Sequence, residues 1–362
     1  MKTANYFKAL IFIIAASNIF LSCSKGGGGS TAPKATNTVS TFAGAGSSGS
    51  ANGTGTSASF SYPSAIISAN GEFFIGDFGN SLIRTINISS ALTATLAGNG
   101  TSGLLNGTLT NAEFNGPANI AFDAIGNLFV SDEQNHSIRE ITTTGNVLTV
   151  AGTGSAGYQD GVGTAAAFDH PEGIVVDANG NIFVADGHNN VVRKIVIATG
   201  AVSTYAGTGT PAFDNGPIAS ATFNDPYGMA IDASGNLYVT DVRNNCIRKI
   251  TVSTGSVSTY AGSGAQGLTN GSSATATFYY PLGCTFDSGG NMFVSDTYNN
   301  VIREVKANGT VITFAGTGKS GLANGPATTA TFNFPIGILV YGNGIYVADT
   351  HNNVIRKITV GQ

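Results

Sequence analysis

Short apolar runs recur along the chain in pairs, and a polar turn separates the two runs of each pair. In one copy the run at 181–185 leads into Asp186, and the run at 191–192 leads into Arg193. Most of these apolar residues are β-branched or aromatic, which favours strands over helices. The turn between them reads Gly-His-Asn-Asn, a typical turn composition. The pattern predicts two antiparallel strands, with the aspartate ending the first and the arginine lying in the second.

This hairpin occurs six times, with asparagine three residues after the aspartate and arginine seven residues after it. Successive arginines are 53 to 55 residues apart, and a fixed period of this size is typical of a repeat architecture. Because the acidic and basic side chains can meet across the hairpin, we predict a structural ion pair in every repeat. The six sets are Asp77/Asn80/Arg84, Asp132/Asn135/Arg139, Asp186/Asn189/Arg193, Asp241/Asn244/Arg248, Asp296/Asn299/Arg303 and Asp349/Asn352/Arg356.

Two further predicted strands complete each repeat. One opens with a proline, as in Pro171, which at the first residue of a strand costs no ladder hydrogen bond. The other ends in Ala-Gly, as at Gly207, and the next proline always follows 19 residues later. A phenylalanine lies three residues before each of these prolines, and we interpret it as a plug between neighbouring repeats. The phenylalanines are Phe60, Phe114, Phe168, Phe223, Phe278 and Phe332.

Four strands in each of six repeats, without helical periodicity, predict an all-β, six-bladed β-propeller of four-stranded blades. The propeller is expected to occupy residues 38–362. The chain supplies an isolated Ala-Gly strand near its start and three strands without a fourth near its end. We therefore expect the N-terminal strand from Val39 to Phe42 to join the C-terminal blade and close the ring, which removes two sheet edges.

The first residues have the pattern of an export signal. Lys2 and Lys8 give the chain a positively charged start, and an apolar stretch at 9–20 follows them. This stretch is short for a membrane span. Ser22-Cys23 and a Gly/Ser-rich stretch follow, and this arrangement resembles a bacterial lipoprotein signal. We expect a signal peptide at 1–22, lipid on Cys23 and a flexible tether at 23–37. An ordinary secretory signal with an incidental cysteine is the alternative.

The other two cysteines, Cys246 and Cys284, replace aliphatic residues of the repeat pattern. We therefore expect both to be core thiols rather than partners in a disulfide. Charged residues make up only 10% of the chain, and the formal net charge is −4. This composition gives no electrostatic reason to expect nucleic-acid binding.

The Pro-x-Gly-Ile, Gly-Asn-Leu-Phe-Val-x-Asp and Asn-x-x-Ile-Arg segments resemble NHL repeats. The Ala-Gly-x-Gly loops that end in Phe-x-x-Pro are similar to those of bacterial NHL lipoproteins and of the teneurin NHL propeller. The resemblance implies an extracellular interaction module, an RNA binder or a metal-dependent lyase, and related six-bladed propellers include gluconolactonases. RNA-binding members carry a basic face, which this sequence lacks. A shared fold does not fix a shared function.

Residues that vary between repeats are concentrated around the prolines and in the hairpin turns, which we expect on one face of the ring. The candidate binding residues on this rim are Asp169, His170, Glu172, Asp225, Tyr227 and Tyr280. An aromatic set at the same positions suits contact with a protein or a glycan. The alternatives are a polar rim without a ligand and ordinary loop packing.

We expect an exported module, anchored in the bacterial envelope at the outer membrane or cell surface or else secreted. It would act as a monomeric binding or scaffold protein for an unknown protein or glycan, without a cofactor or catalytic residues. The alternative is a hydrolase or lyase dependent on a divalent cation such as calcium or zinc. Its metal ligands would be His170, Glu172 and Asp225 at the central opening.

Overall fold

The computed structural model describes residues 36–361. The predicted signal peptide, the lipidation site Cys23 and most of the predicted tether lie outside the described residues. Within them, thirty strands form six antiparallel sheets, each of five strands. The prediction of an all-β, six-bladed propeller is confirmed. None of the described residues belongs to a helix long and apolar enough to cross a membrane.

The strands of each blade follow one order from the ring axis outwards. The innermost strands are Pro63–Ala69, Pro117–Phe122, Pro171–Val176, Pro226–Ile231, Pro281–Phe286 and Pro335–Tyr341. The second strands are Glu72–Asp77, Leu128–Asp132, Asn181–Asp186, Leu237–Asp241, Met292–Asp296 and Gly344–Asp349. The third strands are Leu82–Asn87, Ser137–Ile141, Val191–Val196, Cys246–Thr251, Val301–Val305 and Val354–Thr359.

Two more strands complete each blade. The fourth strands of blades one to five are Leu92–Ala97, Asn146–Ala151, Ala201–Ala206, Ser256–Ala261 and Thr310–Ala315. Blade six takes Thr38–Ala43, which pairs with Val354–Thr359. This pairing confirms the predicted closure of the ring by the N-terminal strand. The fifth strands are Gly53–Thr54, Gly107–Thr108, Gly161–Val162, Gly216–Pro217, Gly271–Ser272 and Gly325–Pro326.

The fifth strand is a departure from the predicted four-stranded blade. It comes from the constant connection between blades, which passes along the outer edge of the blade it is about to enter. Gly161 pairs with Val202 and Val162 with Ala201, for example. Two residues are too few to show a strand periodicity, so the pattern gave no sign of this pairing.

Neighbouring innermost strands approach very closely around the axis. A Cβ atom placed on Gly173 would lie 2.1 Å from the carbonyl oxygen of Tyr227 in the next blade. The same substitution at Gly228 would meet the Leu282 carbonyl oxygen at 2.1 Å. The glycine of the Pro-x-Gly segment is therefore required in these blades because backbone from the next blade fills the space of a side chain.

The predicted ion pair is present in all six blades, with Arg Nη1 to Asp Oδ2 distances of 2.7 to 2.9 Å. The pairs are Asp77–Arg84, Asp132–Arg139, Asp186–Arg193, Asp241–Arg248, Asp296–Arg303 and Asp349–Arg356. Both side chains of every pair are fully buried. These twelve residues therefore serve the fold, and none of them belongs to a surface that could hold a ligand.

The arginines differ from the prediction in having more partners than the aspartate across the hairpin. In blade three, Arg193 also donates to the carbonyl oxygens of Gln159 and Ala167, each at 2.9 Å. Both belong to the connection that enters blade three, so the arginine fastens that connection to its blade. Two equivalent carbonyl bonds, at 2.8 to 3.1 Å, are made by each of Arg84, Arg139, Arg248, Arg303 and Arg356.

Each guanidinium also lies over the phenylalanine plug of its own repeat, with 5.0 to 5.4 Å between its carbon and the ring centre. These contacts are Arg84 over Phe60, Arg139 over Phe114, Arg193 over Phe168, Arg248 over Phe223, Arg303 over Phe278 and Arg356 over Phe332. The Nε of all six arginines is buried without a hydrogen-bond partner among the described residues. The terminal nitrogens and the ring contact therefore hold the guanidinium in place.

The predicted phenylalanine plugs are confirmed, because all six rings are fully buried. Phe223 shares a cluster with Phe183 and Val192 of blade three and with Leu237 and Val239 of blade four. It therefore fills the gap between two sheets.

The two cysteines within the propeller are buried free thiols, as predicted. Cys246 opens a third strand and Cys284 lies in an innermost strand. Burial raises the pKa of Cys284 to about 12, so this thiol stays protonated and unreactive near neutral pH.

Replacing Arg193 should destabilise the protein strongly. Arg193→Met leaves Asp186 buried without its cation and removes the donors to two backbone carbonyls. We expect the free energy of unfolding, measured by urea denaturation, to fall by about 3–5 kcal/mol.

The matched control is Lys194→Met, one residue along the same strand and partly exposed. It should change the free energy of unfolding by about 0.5 kcal/mol or less. Similar losses for the two variants would show that the buried pair does not hold the blade together.

Candidate functional site

The candidate site is an opening on the ring axis. It lies on the top face, which we define as the face carrying the residues just before the innermost strands and the hairpin turns after the second strands. The opening has a volume of about 450 Å³, and residues of all six blades line it. This volume lies within the usual range for small-ligand sites. The prediction that both kinds of turn share one face is confirmed.

All six residues that precede the innermost-strand prolines have left-handed backbone, with φ between +48° and +68°. Blade two has a glycine there, Gly116, whereas the other five positions carry side chains. They are Tyr62, His170, Asp225, Tyr280 and Phe334. A non-glycine residue in this conformation costs about 1–2 kcal/mol. Strain of this kind is concentrated at functional sites, and here it falls on the rim of the opening.

In five of the six blades, the backbone N–H of the pre-proline residue donates a hydrogen bond to a side chain of the preceding blade. The N–H of Asp225 donates to Oδ1 of Asn190 at 2.9 Å, and the N–H of Tyr280 donates to Oδ1 of Asn245 at 3.1 Å. Blade two presents His136 in place of this asparagine, and its Nδ1 accepts from the N–H of His170 at 3.2 Å. The second residue of each Asn-Asn or Asn-His pair therefore positions the rim of the next blade, a role that the repeat pattern did not suggest.

One part of the opening is acidic. Glu172 is only 7% exposed, its Oε2 has no hydrogen-bond partner among the described residues, and Glu133 and Tyr227 lie beside it. Burial raises the pKa of Glu172 well above its usual value, and the neighbouring Glu133 raises it further. Burial also raises the pKa of Glu133 to about 7. These two adjacent carboxyl groups therefore hold their protons more strongly than ordinary glutamates do. Glu133 was not among the predicted site residues.

The three residues predicted as alternative metal ligands have separate partners. Asp225 pairs with Arg243, with 3.0 Å between Oδ2 and Nε. His170 contacts Asp169, with 2.8 Å between Nδ1 and Oδ1, and Glu172 faces Glu133. The unpartnered oxygen of Glu172 is the feature that fits a cation in the opening, because a buried carboxyl oxygen requires a partner. The metal set stays a prediction.

Asp169 is the centre of a histidine cluster. Its Oδ1 lies 2.8 Å from Nδ1 of His170, 3.6 Å from Nδ1 of His188 and 3.7 Å from Nδ1 of His136. Burial lowers the pKa of His136, and the neighbouring His170 lowers it further. The sequence nominated Asp169 and His170 as binding residues. His136 was not predicted as a site residue. Its only signal in the sequence is that a histidine replaces the asparagine found at this position in most other repeats.

The opposite part of the rim is aromatic. Tyr279, Tyr280 and Tyr298 of blade five have ring centres 4.8 to 5.1 Å apart. Tyr298 contacts Phe334 of blade six, Phe334 stacks on His351 at 4.3 Å, and His351 contacts Tyr62 of blade one. We call these residues the aromatic arc: Tyr62, Tyr279, Tyr280, Tyr298, Phe334 and His351. The predicted aromatic residue Tyr227 lies in the acidic part instead.

Comparison with known proteins agrees with this architecture. The family model of the NHL repeat matches residues 168–195 and 223–250, in blades three and four. The chain is 28% identical over 316 residues to the Arabidopsis thaliana protein SUPPRESSOR OF QUENCHING 1, chloroplastic, covering 82% of this chain and 30% of that protein. It therefore spans about a third of that relative.

Two solved structures share the fold. One is an auxiliary nutrient binding protein from Bacteroides ovatus, with a TM-score of 0.69, 16% identity, and coverage of 90% of this chain and 77% of that one. The other is a catalytically inactive virginiamycin B lyase from Staphylococcus aureus with quinupristin, with a TM-score of 0.54, 17% identity, and coverage of 90% and 99%. At these identities the likeness concerns the fold alone. The NHL-repeat match in blades three and four, together with the closed ring of six blades, supports an NHL-repeat β-propeller family for this chain.

Proposed function

We propose that this protein is a glycan-binding module of the bacterial cell envelope, with its ligand held in the opening of the top face. The aromatic arc carries the proposal. It presents several rings side by side on one half of the rim, and Tyr62 and Tyr298 are 49% and 44% exposed. Exposed aromatic side chains in contact with one another provide a large apolar surface for a ligand.

The chemistry of the opening matches that of a sugar. The C–H faces of a pyranose ring are apolar and stack on aromatic rings, while its hydroxyl groups require hydrogen-bond partners. The arc supplies the rings. Across the opening, Glu133, Asp225 and Arg243 supply polar groups, and a few polar groups in a mostly apolar pocket orient a ligand. The volume of about 450 Å³ accommodates the end of an oligosaccharide.

Two further observations support a binding role at the cell envelope. A protein of the same fold is named an auxiliary nutrient binding protein. The first residues of the chain have the pattern of a lipoprotein signal, with Cys23 as the site of lipid attachment. The propeller would then be a monomer held at the outer membrane or cell surface by a tether, and it would need neither nucleic acid nor a cofactor.

A second candidate function is that of a hydrolase or lyase dependent on a divalent cation such as calcium or zinc. Glu133 and Glu172 favour it, because a carboxyl group with a pKa of about 7 can both give and take a proton near neutral pH. Glu172 and Asp225 would contribute oxygen ligands, with His170 at the edge of the site. A protein of the same fold is named a lyase.

The glycan proposal predicts a loss of binding when the arc is truncated. Tyr280→Ala and Tyr298→Ala should each weaken binding about tenfold or more on an array of immobilised oligosaccharides, because central aromatic residues dominate binding energies. The control is Tyr341→Ala, which removes a 39% exposed tyrosine at the far end of an innermost strand. No bound glycan for the unaltered propeller, or an equal loss in the control, would contradict the proposal.

The strained backbone at Tyr62 allows function and stability to be separated. Tyr62→Gly removes an exposed ring and relieves a left-handed conformation with φ of +50°. We expect its thermal unfolding temperature to stay the same or rise, while glycan binding falls. A large loss of stability would show that Tyr62 serves packing rather than binding.

The two carboxyl groups predict a characteristic pH dependence. In the unfolded chain Glu133 ionises near pH 4.5, whereas in the folded protein it keeps its proton up to about pH 7. The folded state therefore loses stability relative to the unfolded state as pH rises through this interval. Glu133→Gln cannot ionise, so as pH rises from 4.5 to 7 its free energy of unfolding should increase relative to that of the unaltered protein by about 2–3 kcal/mol. If the free energies of unfolding of Glu133→Gln and of the unaltered protein changed equally between pH 4.5 and pH 7, the raised pKa of Glu133 would be contradicted.

The anchor is tested independently of the ligand. In a bacterial host with lipoprotein processing, Cys23→Ser should move the protein from the membrane fraction to the soluble envelope fraction and abolish labelling by an alkyne fatty acid. Cys246→Ser and Cys284→Ser are controls for labelling, since both thiols are buried. Membrane association that survives Cys23→Ser would refute the lipid anchor.

A further inference from the structure

Three of the four histidines in the chain converge on one carboxylate. His136 comes from the hairpin turn of blade two, His170 precedes the innermost strand of blade three, and His188 lies in the hairpin turn of blade three. They are far apart in sequence, yet the Nδ1 atoms of all three lie within 3.7 Å of Oδ1 of Asp169. The glycan proposal makes no use of this cluster.

We propose that His136, Asp169, His170 and His188 form a binding site for a first-row transition-metal cation, with zinc as the reference ion. Imidazole nitrogen and carboxylate oxygen are ordinary zinc ligands, and three histidines with one carboxylate complete a four-coordinate shell. This ligand set differs from the predicted set of His170, Glu172 and Asp225, and the site lies at the rim of the opening rather than on its axis.

The spacing of the ligand atoms fits such an ion. Around a tetrahedral zinc with bonds of about 2.0–2.1 Å, neighbouring ligand atoms lie about 3.3 Å apart. The three distances from Asp169 Oδ1 to a histidine nitrogen, 2.8, 3.6 and 3.7 Å, lie on both sides of this value. One ligand atom each from His136, Asp169 and His170 can be chosen so that all three lie within 4.8 Å of one another. Small side-chain rotations bring these three residues to coordination geometry. His188 is not in that group, so its ring would have to turn toward the other three to become the fourth ligand.

The backbone holds two of the ligands in place. The N–H of Asp169 donates to Oδ1 of Asp186 at 2.8 Å, which ties Asp169 to the buried ion pair of blade three. His170 lies in left-handed backbone with φ of +53°, and its N–H donates to His136. Coordination through Nδ1 of His136 would break that hydrogen bond, so the support that remains in the loaded site is the bond from Asp169 to Asp186 and the backbone conformation at His170. Such support for ligand residues is what a metal site requires.

The environment leaves room for an ion. The side chains of His170 and Asp169 are 30% and 29% exposed, and that of His188 is 51% exposed, so a cation can reach the cluster from solvent. The ring centres of His170 and His188 are 4.0 Å apart, and those of His136 and His170 are 4.8 Å apart. A bound ion would join blade two to blade three, so we expect it to stabilise the ring.

The test is titration of metal-free propeller with zinc chloride by calorimetry, together with cobalt substitution followed by visible absorption. We expect one zinc per chain, a raised thermal unfolding temperature, and the intense absorption of four-coordinate cobalt. Asp169→Asn and His170→Asn should each weaken zinc binding at least about tenfold. Asparagine is chosen at position 170 because it tolerates left-handed backbone. His188→Gln should weaken binding and weaken the cobalt absorption.

The matched control is His351→Ala. His351 lies in the hairpin turn of blade six, at the position that His188 occupies in blade three, and it stacks on Phe334 away from the cluster. It should leave zinc affinity unchanged. Melts in the presence of a chelator check that every variant is folded. Absence of stoichiometric zinc in the unaltered protein, unchanged affinity in Asp169→Asn and His170→Asn, or an equal loss in His351→Ala would overturn the site.

Discussion

The buried Asp–Arg pair determines where the connections between blades run, and therefore where the rim residues lie. One carboxylate oxygen of each aspartate, Oδ2, accepts hydrogen bonds from the arginine and the asparagine of its set. The other oxygen accepts a backbone N–H from the residue two positions before the innermost-strand proline, at 2.6 to 2.8 Å in all six blades. Isolated in the interior, these charges would be costly. Here every aspartate has several partners, so the pair orders the loops that form the top face.

The arginine and the asparagine extend this order along the connection. Asn189 donates to the carbonyl oxygen of Gly157 at 2.9 Å, and Arg193 bridges to Oδ1 of Asp160 at 2.7 Å. In the other five repeats an asparagine stands in place of Asp160 and accepts the same bond, at 2.8 to 3.0 Å. These bonds are Arg84 to Asn52, Arg139 to Asn106, Arg248 to Asn215, Arg303 to Asn270 and Arg356 to Asn324. The connection keeps a constant length because a different length would leave buried polar groups without partners.

The sequence was sufficient to predict the six blades, the closure of the ring, the ion pairs and the phenylalanine plugs, because each of these recurs at a fixed interval. It was not sufficient to predict contacts between side chains that belong to different repeats and meet only in the folded ring. Glu133 and Glu172 are 39 positions apart, and no spacing rule brings them together. His136 and His188 lie in the hairpin turns of different repeats, and only the packing of adjacent blades places both beside Asp169. The two-residue edge strand was missed because it is too short to show a period.

The rim breaks the symmetry that the repeats impose. Blades two, three and four contribute carboxylates and histidines, whereas blades five, six and one contribute the aromatic arc, although the backbone positions are equivalent in all six. The buried Asp–Arg pairs beneath the rim do not require this division, because they are the same in all six blades. Gly116 shows that the backbone accepts glycine before the proline, the residue that relieves strain there. The other five blades nevertheless keep large or polar side chains in that strained position, and these side chains divide by chemistry around the opening. This division is what the proposed binding of an asymmetric ligand would require.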